Sequence, residues 1–270
     1  MKILRGKKIA DKILGDLKKK ISAKKNRPAL AVILVGDNQA SELYVKLKQK
    51  AAEKIGIKFQ LFRFSEKVKE AKVIQKIREL NADKKISGMI VQLPLPKNLN
   101  AQRIIDAIDP QKDVDGFSAK NTASLQPVFP QAIMEMLISS QVKLQSKKAV
   151  VITNSKKFGE VMANTLEKKK ISEMYILSSQ LKKDIKKIQS ADIIISAVGK
   201  PRLITDRMIK KGVIIVDGGI TKKGQKVFGD VDFDSVKNKA AFLTPVPGGV
   251  GPVTIACLLR NTYLATKKSL

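Results

Sequence analysis

The sequence predicts an α/β protein built on parallel sheets, and three features predict it. Strand-length runs of uninterrupted aliphatic residues recur along the 270-residue chain. Segments of helical periodicity separate them. Apolar residues make up 43% of the chain with no Trp among them, so cores of Ile, Leu, Val and Ala can cover both faces of a sheet.

In order, Ala29–Val35 is a run without one polar side chain and reads as a buried strand. The periodic stretch Ser41–Ile55 follows as a helix, then strand Phe59–Phe64, helix Val68–Asn81 and strand Gly88–Leu93. Phe117–Pro130, rich in Ser, Thr, Asn and Pro, marks a boundary. Beyond it the alternation resumes. Strands are expected at Ala149–Thr153, Met174–Leu177, Ile193–Val198, Val213–Val216 and Ala241–Leu243, with helices at Phe158–Lys169 and Leu181–Gln189. Pro252–Lys268 closes as a helix, with Pro near its first turn and Lys in its last.

This length exceeds the usual single domain, so one large or two modest domains are expected. No apolar run reaches the roughly 18–20 residues that span a bilayer. The opening residues lack a secretory h-region and cleavage site, and the single Cys257 fits a reducing compartment. A cytoplasmic protein is expected. The net charge of +29 suggests nucleic acid, but 45 of the 53 basic residues are Lys and aromatics are only 4%. Arg forks and stacking rings read nucleic acid, so the lysines are read as solvated helix faces that also draw in small anions.

Four segments carry chemistry. In Asp37–Lys48, Tyr44 and Lys48 are four apart and share one helix face. A desolvated lysine beside a phenol can move protons near neutral pH, although the spacing alone equally suits a surface lysine on a basic helix. In Gly88–Pro96, Gln92 lies between Val91 and Leu93 at the C-terminal end of a strand, where α/β sheets bind ligands; the two prolines also suit a plain rigid turn. Lys112–Phe117 offers Asp113 and Asp115, two apart and followed by Gly116, as a turn, a metal ligand set or a ligand anchor. With no His and no further acidic cluster, a metal site is not expected. In Leu243–Thr254, Pro247, Gly248, Gly249, Val250 and Gly251 lead into a helix, bringing backbone N–H groups close to a ligand.

Taken together and in order, these segments resemble the bifunctional methylenetetrahydrofolate dehydrogenase/methenyltetrahydrofolate cyclohydrolase family. The resemblance runs from Ile3 to Ala256 and includes Gly229-Asp230-Val231. It implies a folate-binding catalytic domain of residues 1–118 plus 252–270, a Rossmann-like cofactor domain of residues 119–251, and a cleft between them. It further implies a homodimer, tetrahydrofolate substrates, and NADP or NAD as cofactor. Position by position, Lys48 matches the catalytic lysine, Tyr44 the tyrosine beside the substrate, Gln92 the lysine-orienting glutamine and Asp115 the aspartate gripping the pterin. Val91, Leu93 and Pro247 to Gly251 match the folate-site lining.

The cofactor half departs from the family pattern. Where Gly-Arg-Ser is usual stands Thr153-Asn154-Ser155, followed by Gly159. The Gly lets a pyrophosphate approach and the Arg can hold a 2′-phosphate, so a β-branched Thr153 is expected to obstruct that approach. The hydroxyl of a Pro-Cys-Thr-Pro loop is lost at Pro127-Val128-Phe129-Pro130, and of Cys-His-Ser only Ser179 remains. Gly199, Ile220 and Thr254 complete the cofactor contacts that the resemblance implies. The altered turn leaves open a cyclohydrolase-only enzyme, or a non-catalytic protein that binds folate or a partner.

Overall fold

A computed structural model of the chain describes residues 1–118, 125–224 and 226–266. Its elements run β1 (Lys2–Ile3), α1 (Gly6–Ser22), β2 (Ala29–Val35), α2 (Gln39–Ile55), β3 (Lys58–Phe64), α3 (Glu70–Ala82), β4 (Gly88–Val91) and α4 (Ala101–Ile105). There follow α5 (Val128–Ser139), β5 (Lys148–Thr153), α6 (Lys156–Glu167), β6 (Ser172–Leu177), α7 (Ile185–Ser190), β7 (Ile193–Ala197) and β8 (Ile214–Asp217). The chain closes with β9 (Thr221–Lys223), β10 (Lys226–Phe228), α8 (Phe233–Val236), β11 (Phe242–Leu243) and α9 (Val250–Ala265). It divides into two compact units, Asp11–Val128 with Ile255–Leu270 and Met1–Ala10 with Phe129–Thr254. The first ten residues thus group with the later segment, because β1 pairs in parallel with β11.

The first unit holds a parallel three-stranded sheet in the order β3-β2-β4. Every residue of β2 is buried, so both faces are covered, as its unbroken aliphatic run requires. Ile33, Val35, Met89 and Val91 join Val73 and Ile77 of α3 and Ile104 of α4 in one core. Helix α2 begins at Gln39, before the predicted Ser41, because the Asn38 side chain accepts the Ala40 and Ser41 N–H groups. It stops at Gly56, whose left-handed φ of 86° returns its N–H to Ala52 and Glu53.

The second unit is a six-stranded sheet ordered β1-β11-β8-β7-β5-β6, every pairing parallel. Strand order reverses at β5, the switch point at which doubly wound sheets place ligands. Phe117–Pro130 is the stretch expected to mark a boundary. Residues 119–124 lie outside the described residues, and Val128 to Pro130 open helix α5, where Pro is tolerated in a first turn.

Val114 is fully buried, and a Cβ on Gly88 would lie 2.2 Å from its Cγ1. Strand β4 therefore admits the 112–116 segment only because residue 88 has no side chain. Gly88→Ala is expected to destabilise the protein by about 1–3 kcal/mol, the usual cost of overpacking. A urea midpoint equal to wild type would refute this reading.

Candidate active site

The lysine site is built at the C-terminal edge of the three-stranded sheet. Gln92 follows β4 and extends its pairing by one bond, its N–H donating to Ile33 O at 2.9 Å. Its Nε2 donates to Leu93 O at 2.7 Å, which turns Oε1 toward α2. There Lys48 Nζ donates to Gln92 Oε1 at 2.9 Å. Burial holds the Lys48 ammonium below the ordinary lysine range, with the charge of Asp115 pulling the other way. Burial pushes Asp115 up to about 6, offset in part by Lys48, and raises the Tyr44 phenol. The structure thus brings together Lys48, Gln92 and Asp115, a base-forming amine and a poised carboxyl in one partly dry place. Tyr44 lies one helical turn before Lys48 on α2. Val91 is buried in the core beneath the site, and Leu93 packs against that core.

Sequence reasoning missed the residues that anchor Asp115. Lys112 Nζ donates to Leu80 O, Asn81 O and Asp83 O at 2.9, 2.8 and 2.7 Å, closing the C-terminal end of α3. Asp113 accepts the N–H groups of Gly116 and Ser118 and shapes the turn around Asp115. Asn261 Nδ2 donates to Val114 O at 2.9 Å. A lysine beside two aspartates signals an ion pair to a reader of sequence, whereas this lysine binds carbonyls.

In the second unit, Pro247 and Gly248 are exposed, while Gly249 and Val250 are buried. Gly248 O accepts the Gly6 N–H at 2.9 Å, and a Cβ on Gly249 would sit 2.4 Å from Pro245 O. Gly251 and Thr254 lie in the first turns of α9, the Thr254 hydroxyl donating to Gly251 O. Two of the predicted cofactor residues, Ser155 and Asn154, form the turn from β5 to α6. Ser155 caps α6 by accepting the Phe158 N–H at 3.2 Å. Thr153 is buried, and its Oγ1 accepts the Ser155 N–H at 3.0 Å. Its side chain is therefore folded into the turn. Asn154 Nδ2 donates to Val198 O at 2.8 Å, bridging the ends of β5 and β7, and Asn154 Oδ1 accepts the Ser178 hydroxyl. Ser178 makes this contact, while Ser179 beside it is exposed. Gly159 lets α6 lie on the sheet, for a Cβ there would meet the Tyr175 ring at 2.7 Å. Phe129, in place of a hydroxyl residue, packs on Phe158 with centroids 5.1 Å apart.

A nicotinamide dinucleotide fits these residues. Helix α6 presents a capped N-terminus at the switch point, Gly199 (φ 75°) leaves open space where a Cβ would be, and Ile220, in the segment between β8 and β9, is 50% exposed. A desolvated lysine bonded to a sheet-anchored glutamine, with such a sheet in the same chain, suits a dinucleotide-using α/β enzyme. Residues 4–115 match the model of the tetrahydrofolate dehydrogenase/cyclohydrolase catalytic domain, and residues 127–270 that of the same family's NAD(P)-binding domain. The bifunctional protein FolD of Staphylococcus aureus is 43% identical, covering 98% of this chain and 96% of its own. The bifunctional FolD methylenetetrahydrofolate dehydrogenase/cyclohydrolase of Campylobacter jejuni superposes with a TM-score of 0.95 at 39% identity, covering 100% of both chains. A Trypanosoma brucei FolD solved with NADP cofactor and an inhibitor gives 0.94 at 30% identity, over 99% of this chain and 98% of that one. The chain belongs to the tetrahydrofolate dehydrogenase/cyclohydrolase family, enzymes of folate one-carbon metabolism. Its resemblance in sequence is thereby confirmed, and neither the cyclohydrolase-only nor the non-catalytic alternative is favoured.

Proposed function

We propose that the chain carries both activities of its family, oxidation of 5,10-methylenetetrahydrofolate and hydrolysis of 5,10-methenyltetrahydrofolate, with Lys48 as the proton-moving group. The observation that carries this is the 2.9 Å bond from Lys48 to a glutamine fixed by the sheet, with Asp115 acting on its charge. In hydrolysis, water oxygen bonds the methenyl carbon while Lys48 Nζ takes a water proton. The C–N5 bond then breaks, N5 is protonated, and 10-formyltetrahydrofolate forms with net release of one proton. Asp115 accepts hydrogen bonds from the N–H edge of the pterin, and Tyr44 packs beside the ring. Leu93 and the Pro247–Gly251 loop are assigned to line the folate, with Val91 supporting the site from the core beneath it.

The nicotinamide cofactor, when bound, supplies the hydride acceptor for oxidation. Thr153, Asn154, Ser155, Gly159, Ser179, Gly199, Ile220 and Thr254 are the residues assigned to hold it. The reading extends to a homodimeric, cytoplasmic enzyme whose product feeds purine biosynthesis, with the unit that contains Lys48 serving folate and the other serving cofactor. Among the described residues no helix is long and apolar enough to cross a membrane.

Paired assays of methenyl hydrolysis and NADP-dependent methylene oxidation test it. Both are expected in the wild type, and absence of both in folded protein overturns the proposal. Asn154 stands where an arginine would meet a 2′-phosphate. Asn154→Arg is therefore expected to lower KM for NADP about tenfold, the worth of one charge-assisted bond, and to leave KM for NAD nearly unchanged. An equal effect on both cofactors would contradict the assignment.

A further inference from the structure

Two aspartates of the second unit, Asp217 and Asp230, are 3% and 0% exposed, and the folate chemistry uses neither. Their partners are backbone N–H groups and one hydroxyl. Asp230 Oδ2 accepts the Ser196 hydroxyl and the Val198 N–H, both at 2.7 Å, and Oδ1 accepts the Lys200 N–H at 2.8 Å. Asp217 Oδ1 accepts the Gly219 and Asp230 N–H groups at 3.0 and 3.1 Å, and Oδ2 accepts that of Val231 at 2.9 Å. The carboxylates sit so close to the chain that a Cβ on Gly219 or on Gly229 would fall 2.1 Å from a carboxylate atom.

The segments so tied are the ones that leave the C-terminal ends of β7 and β8. Asp230 grips Val198 and Lys200 on either side of Gly199 and thereby imposes the conformation of that glycine. Asp217 grips Gly219, next to the exposed Ile220. The Thr221 hydroxyl closes the ring by donating to Gly199 O at 2.8 Å. Burying carboxylates without a cation is costly, and burial pushes Asp217 up to about 6. An amide or hydroxyl could satisfy fewer of these donors. Six donors converging on two acceptor-only groups fix two loops at once, which matters where a ligand must meet both.

We propose that Asp230, with Asp217 behind it, is a positioning residue for the nicotinamide cofactor, setting Gly199 and Ile220 in the geometry that receives it. This rests on the cofactor reading above. Asp230→Asn places a donor against either the Lys200 N–H or the Val198 N–H, and so releases one side of Gly199. In the full-length protein, KM for NADP and the NADP Kd by titration calorimetry are expected to rise about tenfold, the loss of one charge-assisted bond. Methenyl hydrolysis should stay within about twofold of wild type, which marks the protein as folded. A purely structural role predicts a lower urea midpoint with unchanged KM and Kd, and that result would overturn the inference. Should Asp230→Asn fail to fold, Thr221→Val removes only the partly exposed bond to Gly199 O. It is expected to raise the NADP KM about threefold, near 0.7 kcal/mol, and no change there also overturns the inference. Failure of the wild type itself to bind NADP or NAD would overturn the cofactor reading, and this inference with it.

Discussion

Lys48→Met is expected to lower the rate of methenyl hydrolysis about a thousandfold, within the range of a lost general acid–base group. Methionine keeps the length of the aliphatic stem, with sulfur in place of Cδ, and removes the amine, so folding should survive. Helix α2 is held by Val45, Ala52 and Ile55, which the change leaves in place. Lys48→Arg should not rescue the rate, because a guanidinium does not shed its proton. Gln92→Ala, which removes the acceptor 2.9 Å from Nζ, should give an intermediate loss. A Lys48→Met enzyme retaining a tenth of wild-type kcat or more, judged by initial hydrolysis rates in folded protein, would remove this lysine from the chemistry.

Asp115→Asn is expected to abolish most activity at neutral pH while making the protein more stable there. The sign follows from burial, which raises the folded-state pKa from 3.8 to about 6. Between those values the folded state holds a proton that the unfolded state has released. Stability therefore falls as pH rises from about 4 to 6, and the ionised carboxylate is a standing cost above 6. Removing it should return on the order of 2 kcal/mol, less whatever Lys48 loses as its counter-charge disappears. The melting temperature should rise by a few degrees at pH 7.5 and by almost nothing at pH 4. Loss of stability at both pH values would show that the carboxylate holds the fold together. In the wild type, activity should decline as pH falls through about 6 and Asp115 becomes neutral.

Parallel architecture was legible because Ala29–Val35 and Ile193–Ala197 have too few polar side chains to face water. Helix α1 was harder to see, since its lysines crowd the apolar positions Ile9, Ile13, Leu17 and Ile21. Helix α5 carries only the narrow polar stripe of Gln131, Glu135 and Ser139 among apolar residues, so its periodicity is weak. The β9–β10 hairpin is short and largely exposed and has no hydrophobic signature. At the site, Lys48 could be singled out from 45 lysines only through its company in the chain, namely Gln92, Asp115 and the Pro247–Gly251 loop. Bonds made by folding were invisible: the three carbonyls around Lys112, and the Asn154 amide spanning β5 and β7. Neither follows from spacing, because each joins residues at least 29 positions apart.

Strand β1 has a consequence for synthesis. Lys2 and Ile3 pair with Phe242 and Leu243, which leave the ribosome roughly 240 residues later. At about 5–20 residues per second, that edge of the sheet waits roughly 12–50 s for its partner. Helix α9, whose Asn261 ties Val114 of the same unit, arrives later still. Neither unit can complete its packing before these late segments emerge, so a product truncated ahead of them leaves two unfinished cores for chaperones and proteases to meet.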